Sequence, residues 1–260
     1  MKIIVIIPTF NEKVSIGSLI DAIEQEFDDI PKHQLGILVV DGNSPDGTAA
    51  VVKEKMTHHD NIDLIMQHRK LGLGIAYLAG MTYAINELKA DAFIEFDGDW
   101  QHNPKDIKRL VAEFDQGYDY VIGSRYVPGG SIPIEWAFYS KLLSKCGNVW
   151  IRYVLRLPVR DCTSGLRLSR VEGFAEKLPL DAKNILSRRH AYKVHLLHEM
   201  IRFGATYKEI PIKFLSRKSG NSKSTIEDII ESLKVSFVLL CHKRKKEKNS
   251  VKFITGITRL

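Results

Sequence analysis

A chain of 260 residues, 44% of them apolar, has material for the core of one domain or one and a half. Its 3 cysteines, Cys146, Cys162 and Cys241, are scattered without C-x-x-C spacing, so neither a disulfide framework nor a zinc site is indicated and reduced, cytosolic surroundings are expected. The formal net charge of +7 is unevenly spread, the apolar run at residues 3–7 is too short for a signal peptide, and no uninterrupted stretch approaches a membrane span in length.

In chain order, Ile3-Ile4-Val5-Ile6-Ile7 reads as a buried strand, ended by Pro8-Thr9-Phe10-Asn11-Glu12 and followed by a helical pattern at Ile16, Leu19, Ile20 and Ile23. A second strand, Gly36-Ile37-Leu38-Val39-Val40, leads into Asp41-Gly42-Asn43-Ser44-Pro45-Asp46-Gly47-Thr48, where Asn43, Ser44 and Asp46 suit a turn because such side chains bond their own backbone. A third, Asp63 to Met66, precedes Gly72-Leu73-Gly74 and a helix-like stretch from Ile75 to Leu88. That glycine pair lacks the third glycine of a dinucleotide fingerprint and reads as a loop of close approach. The fourth strand ends at Asp97-Gly98-Asp99, with Pro104 opening the next helix, and the fifth, Tyr118 to Ile122, ends in Gly123-Ser124-Arg125-Tyr126. Continuous β-branched runs alternating with helices predict an α/β fold with a mostly parallel sheet, its polar clusters at the carboxyl ends where such sheets bind ligands.

Asp97 and Asp99 carry the strongest chemical signal. Alternate strand residues share a face, and two carboxylates that close repel each other unless a cation stands between them. Hard oxygen donors suit Mg²⁺ or Mn²⁺, which in turn suit a diphosphate; the plainer reading is a strand end running into an acidic turn.

Together with Asp161-Cys162-Thr163-Ser164-Gly165-Leu166-Arg167 and Arg217-Lys218-Ser219-Gly220-Asn221-Ser222-Lys223, these blocks resemble family 2 glycosyltransferases of the inverting, nucleotide-sugar-dependent kind. Within them the pattern is most similar to the polyprenyl-phosphate hexosyltransferases of the dolichol-phosphate mannose synthase group, over roughly residues 3 to 224. The resemblance implies a Rossmann-like scaffold of the GT-A type. It implies a donor site in which Pro8 places the strand end, Phe10 offers a face to the base, Glu12 and Asp41 contact the nucleoside, and Asp97 touches the sugar or ribose. Asp97, Asp99 and Gln101 would hold Mg²⁺ or Mn²⁺, with Asp99 the principal ligand. The implied reaction moves a hexose, with GDP-mannose the favoured donor, onto a polyprenyl phosphate. A phosphate monoester has a second pKa of about 6, so this nucleophile is already dianionic and needs cations in place of a general base. Candidates are Arg125, Arg217 and Lys223, with Lys141 and Ser144 beside them; Asp99, Arg125 and Arg217 form the expected catalytic set.

Several positions depart from the pattern: Gly42 replaces a second carboxylate, Ser140 replaces a cation, and Trp100 stands where a smaller aliphatic residue is usual, which is expected to reshape the sugar pocket. Gly42 and Trp100 keep transfer from UDP-glucose or another sugar, to undecaprenyl phosphate or a different acceptor, open as an alternative; a silent nucleotide-sugar-binding partner is a second, against which the intact Asp97, Asp99, Arg125 and Arg217 argue. Thr163 and Ser164 suit donation to phosphate, and Asp161 with Arg167 suits a structural ion pair. Trp136, Phe138, Leu142, Leu143, Val149, Trp150 and Val154 read as core packing of a helix or as the lining of a prenyl groove.

The chain divides into a catalytic domain, 1–224, and a C-terminal amphipathic helix with a basic tail, 225–260. Ile226, Ile229, Ile230, Leu233, Phe237 and Leu240 form a helical stripe before His242-Lys243-Arg244-Lys245-Lys246-Glu247-Lys248. That combination suits either an anchor on an anionic membrane surface or packing on the catalytic domain. A basic run without aromatic interleaving or a recognised motif argues against nucleic acid. The expected place is the cytosolic face of a membrane, bound peripherally, with room for a small membrane-spanning subunit.

Overall fold

The computed structural model describes residues 1–216 and 226–255, with side chains described up to Ser216 and again from Glu227 to Cys241. The chain alternates strands and helices: β1 (Lys2–Thr9), α1 (Lys13–Phe27), β2 (Gln34–Asp41), α2 (Thr48–Met56), β3 (Ile62–Met66), α3 (Leu73–Asn86), β4 (Ala92–Glu95), α4 (Asp106–Asp115) and β5 (Tyr120–Ser124). Then follow α5 (Phe138–Leu155), β6 (Arg167–Arg170), α6 (Tyr192–Arg202), β7 (Tyr207–Pro211) and α7 (Ile226–Thr255). The seven strands form one sheet in the order β3-β2-β1-β4-β6-β5-β7. β6 runs antiparallel to both its neighbours and every other pairing is parallel. The mostly parallel α/β sheet expected from the sequence is present.

Residue parity along the central strands sorts the core into two layers. Ile4, Ile6, Leu38, Val40 and Phe93 face the layer that includes α3, α6 and the buried residues Val235 and Leu239 of α7. Ile3, Val5, Ile7, Ile37, Val39 and Ile94 face α1 and α4. Both faces are apolar because both are covered, which is why the strands read as continuous hydrophobic runs.

The chain builds β1, β2 and β3 outward and then returns to β4 on the other side of β1. This reversal leaves a crevice beyond the carboxyl ends of β1 and β4, the place where open α/β sheets hold ligands. Pro8-Thr9-Phe10 and Asp97-Gly98-Asp99 both empty into it.

Candidate active site

Two cavities open at this crevice. The first, of about 450 Å³, is lined by Pro8, Phe10, Glu12, Gly42, Asp97, Asp99 and Gln101, with Lys70, Gly72, Arg189 and His190 among the residues completing its wall. The second, of about 630 Å³, is lined by Arg125, Thr163, His102 and Lys193, by Tyr139, Leu143 and Ser144 of α5, by Ile229 and Leu233 of α7, and by Trp136 and Phe214. Asp97, Gln101 and His190 belong to both linings, so the two chambers meet there.

Asp97 is the best-held carboxylate of the site. Tyr77 donates its hydroxyl to Oδ1 at 2.8 Å, His102 Nε2 stands 3.3 Å from Oδ2, and Lys193 Nζ stands 3.7 Å from the same oxygen. Burial alone would raise its pKa, but Lys193, His102 and Tyr77 outweigh that and hold the carboxyl well below the usual range. Asp97 is therefore a fixed anion. Asp99 is 6% exposed and accepts from the backbone N–H of Gln101 at 3.1 Å, which curls the turn after β4.

Asp99 and Gln101 both line the first cavity. The Gln101 amide nitrogen donates to the Leu215 carbonyl at 3.4 Å, which leaves its amide oxygen as the group available to a ligand. Among the described residues no cluster of three His, Cys, Asp or Glu side chains is placed to hold a metal ion. This donor set fits a hard cation that takes its remaining ligands from water and a bound diphosphate, the usual habit of Mg²⁺.

Other expected site residues fall in different places. Asp41 is fully buried and accepts from Thr9 Oγ1 at 2.9 Å, Ser44 N at 2.8 Å and Ser44 Oγ at 2.7 Å; it ties β2 to the end of β1 and does not line the cavity. Asn43, Ser44 and Asp46 build the turn as expected, Asp46 accepting from Thr48 N and Oγ1 at 3.0 and 2.6 Å. Ser144 lines the second cavity with its hydroxyl 2.7 Å from that of Tyr126. Lys141 does not: its Nζ donates to the Ile134 carbonyl at 2.6 Å. Arg217 and Lys223 lie outside the described residues.

Arg125 enters the second cavity gripped from behind. Its Nε and one terminal nitrogen reach the two oxygens of Asp161 at 2.8 Å each, and that terminal nitrogen also donates to Thr163 Oγ1 at 2.8 Å. Asp161 thus pairs with Arg125, and the ion pair with Arg167 expected from the sequence is not formed. Arg167 is fully buried and donates instead to Tyr120 Oη, the Lys193 carbonyl and the Cys162 carbonyl, holding β6 to α6. Two further expectations are corrected. Trp100 turns its indole toward α1, Nε1 donating to the Ser15 carbonyl at 3.3 Å, and lines neither cavity. Ser164 is buried, donates to the Gly123 carbonyl and lines neither cavity.

Sequence reasoning missed the parts played by Lys193 and Tyr77, which stand on α6 and α3 and carry no motif signal of their own. Exposed Lys70 sets its Nζ 4.3 Å from the centroid of the Phe10 ring on the first cavity's wall. The Gly72-Leu73-Gly74 signal was legible: a Cβ on Gly72 would stand 2.5 Å from the Arg188 carbonyl oxygen, so the loop bearing Arg189 and His190 seats directly on it.

The sequence model of the glycosyl transferase family 2 matches residues 4–176. The chain is 34% identical over 233 residues to the polyprenol monophosphomannose synthase of Mycolicibacterium smegmatis, covering 89% of this chain and 84% of that one. It is 34% identical over 227 residues to the undecaprenyl-phosphate mannosyltransferase of Micrococcus luteus, covering 86% and 87%. The dolichol-phosphate mannosyltransferase of Pyrococcus furiosus is 32% identical over 248 residues, 92% of this chain and 64% of that longer one. In fold, the chain is similar to glucosyl-3-phosphoglycerate synthase from Mycobacterium tuberculosis, with a TM-score of 0.64 at 17% identity over 93% of this chain and 80% of that one. Strand order, the crevice beside β1, the acidic turn after β4 and this run of relatives lead to one conclusion: the chain belongs to glycosyltransferase family 2 and is a glycosyltransferase.

Proposed function

We propose that this enzyme transfers mannose from GDP-mannose to a polyprenyl phosphate of the dolichyl type, with inversion at the anomeric carbon and with Mg²⁺ or Mn²⁺. The observation that carries the reading is the meeting of two unlike chambers at Asp97, Gln101 and His190. One is walled by strand ends and acidic oxygens, suited to a nucleotide and its metal. The other joins two cationic side chains to apolar walls from α5 and α7, suited to a phosphate carrying a hydrocarbon chain. The mannosyltransferases of Mycolicibacterium smegmatis and Micrococcus luteus, named for polyprenol and undecaprenyl phosphate, support the acceptor class.

Asp99 and Gln101 would hold the divalent ion, which when bound supplies charge neutralisation to the departing diphosphate. Asp97, kept anionic by Tyr77, His102 and Lys193, faces the sugar and stabilises positive charge growing at the ring in an oxocarbenium-like transition state. The acceptor phosphate oxygen forms a bond to the anomeric carbon as the bond to the diphosphate oxygen breaks, and the electron pair leaves with the nucleoside diphosphate. No general base is required, because the phosphate is already deprotonated above about pH 6. Arg125 and, on its motif, Arg217 would hold that phosphate.

The acceptor's membrane sets a further requirement, and α5 supports it. Its Tyr139, Leu143, Ser144, Gly147 and Ile151 line the second cavity, while Phe138, Leu142, Val149, Trp150 and Tyr153 are exposed on the other side. Core packing of Phe138, Leu142, Leu143, Val149 and Trp150, one of the two expectations for them, is therefore ruled out. Exposed Lys145, Arg152 and Arg156 flank the apolar stripe. Such a face suits the interface of an anionic leaflet. Among the described residues no helix is long and apolar enough to cross a membrane, so attachment at the cytosolic surface is the mode we propose, with 225–260 contributing.

The test offers labelled GDP-mannose, UDP-glucose and other nucleotide sugars, with Mg²⁺ or Mn²⁺, together with a short-chain polyprenyl phosphate, and counts label in the organic phase. Transfer from GDP-mannose, product of inverted configuration by NMR, and loss of transfer on chelation are expected. Label transfer from no donor would overturn the reading.

A further inference from the structure

Lys193 is a cation of the second cavity to which the steps above give a part only in holding Asp97. It sits in the first turn of α6 with its side chain 6% exposed, on the wall of the second cavity. An ammonium carries three donors, yet among the described residues Nζ makes no hydrogen bond; its ionic contact is Asp97 at 3.7 Å, beyond hydrogen-bond reach. Tyr77 offers only its ring, with the centroid 5.9 Å from Nζ. A buried cation so poorly satisfied is costly unless a ligand completes it.

Its surroundings show where that ligand would come from. On one side Gly165 presses so close that a Cβ there would stand 2.6 Å from Nζ and 2.6 Å from Asp97 Oδ2, which closes that direction. Asp97 closes another and borders both chambers. The remaining opening is the second cavity. Among the described residues lining it, Arg125 and Lys193 are the arginine and lysine side chains, with His102, His190, Asp97, Asp228 and Tyr139 the other titratable ones. Arg125 already shares its fork with Asp161 and Thr163, and Lys141 is turned to a backbone carbonyl.

We propose that Lys193 is a further cation for the acceptor phosphate, binding it from the Asp97 side while Arg125 binds it from the Asp161 side. This rests on the acceptor reading above. The placement has a consequence for the reaction: an oxygen held by Lys193 lies next to the point where the two chambers meet, so the nucleophile is presented where the sugar arrives. Lys193 also screens the incoming dianion from Asp97, which would otherwise repel it.

The experiment measures binding of a short-chain polyprenyl phosphate and of the matching polyprenyl alcohol to wild type, Lys193→Gln and Lys193→Arg, alongside binding of GDP with Mn²⁺. Loss of one charge-assisted contact predicts about 10- to 100-fold weaker phosphate binding, and an equal rise in acceptor KM, for Lys193→Gln. Alcohol and GDP binding are expected to stay within about 2-fold, and Lys193→Arg to retain most phosphate affinity. Protection of Lys193 from reductive methylation by polyprenyl phosphate but not by the alcohol, read by mass spectrometry on the wild type, gives the same answer without relying on a variant's folding. Unchanged phosphate binding in a folded Lys193→Gln, or absence of that protection, overturns the proposal. So does loss of GDP binding equal to the loss of phosphate binding, which would make Lys193 a support for Asp97 alone. Phosphate-selective protection in an enzyme that transfers no sugar would leave the Lys193 site standing and remove the catalytic reading instead.

Discussion

Arg125 and Asp161 make a buried pair whose two members shift in agreement: burial opposes both charges, yet each partner's charge prevails, the arginine rising and the carboxyl falling below its usual range. The side chains are 8% and 0% exposed, so removing one partner strands the other away from water. Asp161→Asn is expected to cost roughly 3–5 kcal/mol of stability, measured by urea denaturation. Because the folded carboxyl is depressed, its contribution is complete above the unfolded value near 3.9 and is lost only as pH falls through the lower folded value. The gap between wild type and variant is therefore expected to be flat from about pH 5 to 8 and to close only in stronger acid. Asp99→Ala tests the other end of the site. If Asp99 holds the divalent ion as proposed, Asp99→Ala is expected to reduce transfer by more than the roughly 100-fold typical of indirect metal partners, while the thermal midpoint moves little. At this scale the sequence exposed residues gathered in contiguous motifs, such as Pro8 to Glu12 and Asp97 to Gln101. It hid Lys193 and Tyr77, whose roles come from which helix the fold lays across the strand ends.

Among the elements, the strands that read clearly were those buried on both faces. β6 was missed because Arg-Leu-Ser-Arg carries no hydrophobic run; Arg167 is accepted inside only because Tyr120 and two backbone carbonyls receive its donors. β7, Tyr-Lys-Glu-Ile-Pro, lies at the sheet edge, where partial exposure permits charged residues and a terminal proline. The link between α3 and the loop before α6 offers a direct test. Gly72 has φ +106° and faces the Arg188 carbonyl with no room for a Cβ. Gly72→Ala is expected to lose roughly 1–3 kcal/mol by denaturant midpoint and to weaken nucleotide binding, because Arg189 and His190 must retreat from the cavity wall. A stability loss with unchanged nucleotide affinity would show that this loop closes the cavity without touching its occupant.

At the scale of the whole molecule, the single helix α5 serves two environments. Residues 139, 143, 144, 147 and 151 border the second cavity, while 138, 142, 149, 150 and 153 turn outward. The outward set places Phe138 at 80%, Tyr153 at 83% and Trp150 at 51% exposure, and α7, packed beside α5, adds Phe237 at 60%. Monomeric proteins seldom leave so many large apolar side chains together in water without a partner. If that partner is the bilayer, the acceptor's phosphate reaches the cavity while its chain stays in lipid. The enzyme is then expected to co-sediment with vesicles containing anionic lipid, with Trp150 contributing a blue-shifted emission, and to release partly at high salt as the flanking cations are screened. Placing glutamates at Phe138 and Trp150 is expected to reduce vesicle binding at least about 10-fold, since two buried aromatic groups are lost and two charges added. Transfer to a detergent-dispersed short-chain acceptor should persist in that variant, because neither residue borders a cavity. Vesicle binding that survives both substitutions would move the membrane contact elsewhere on the molecule.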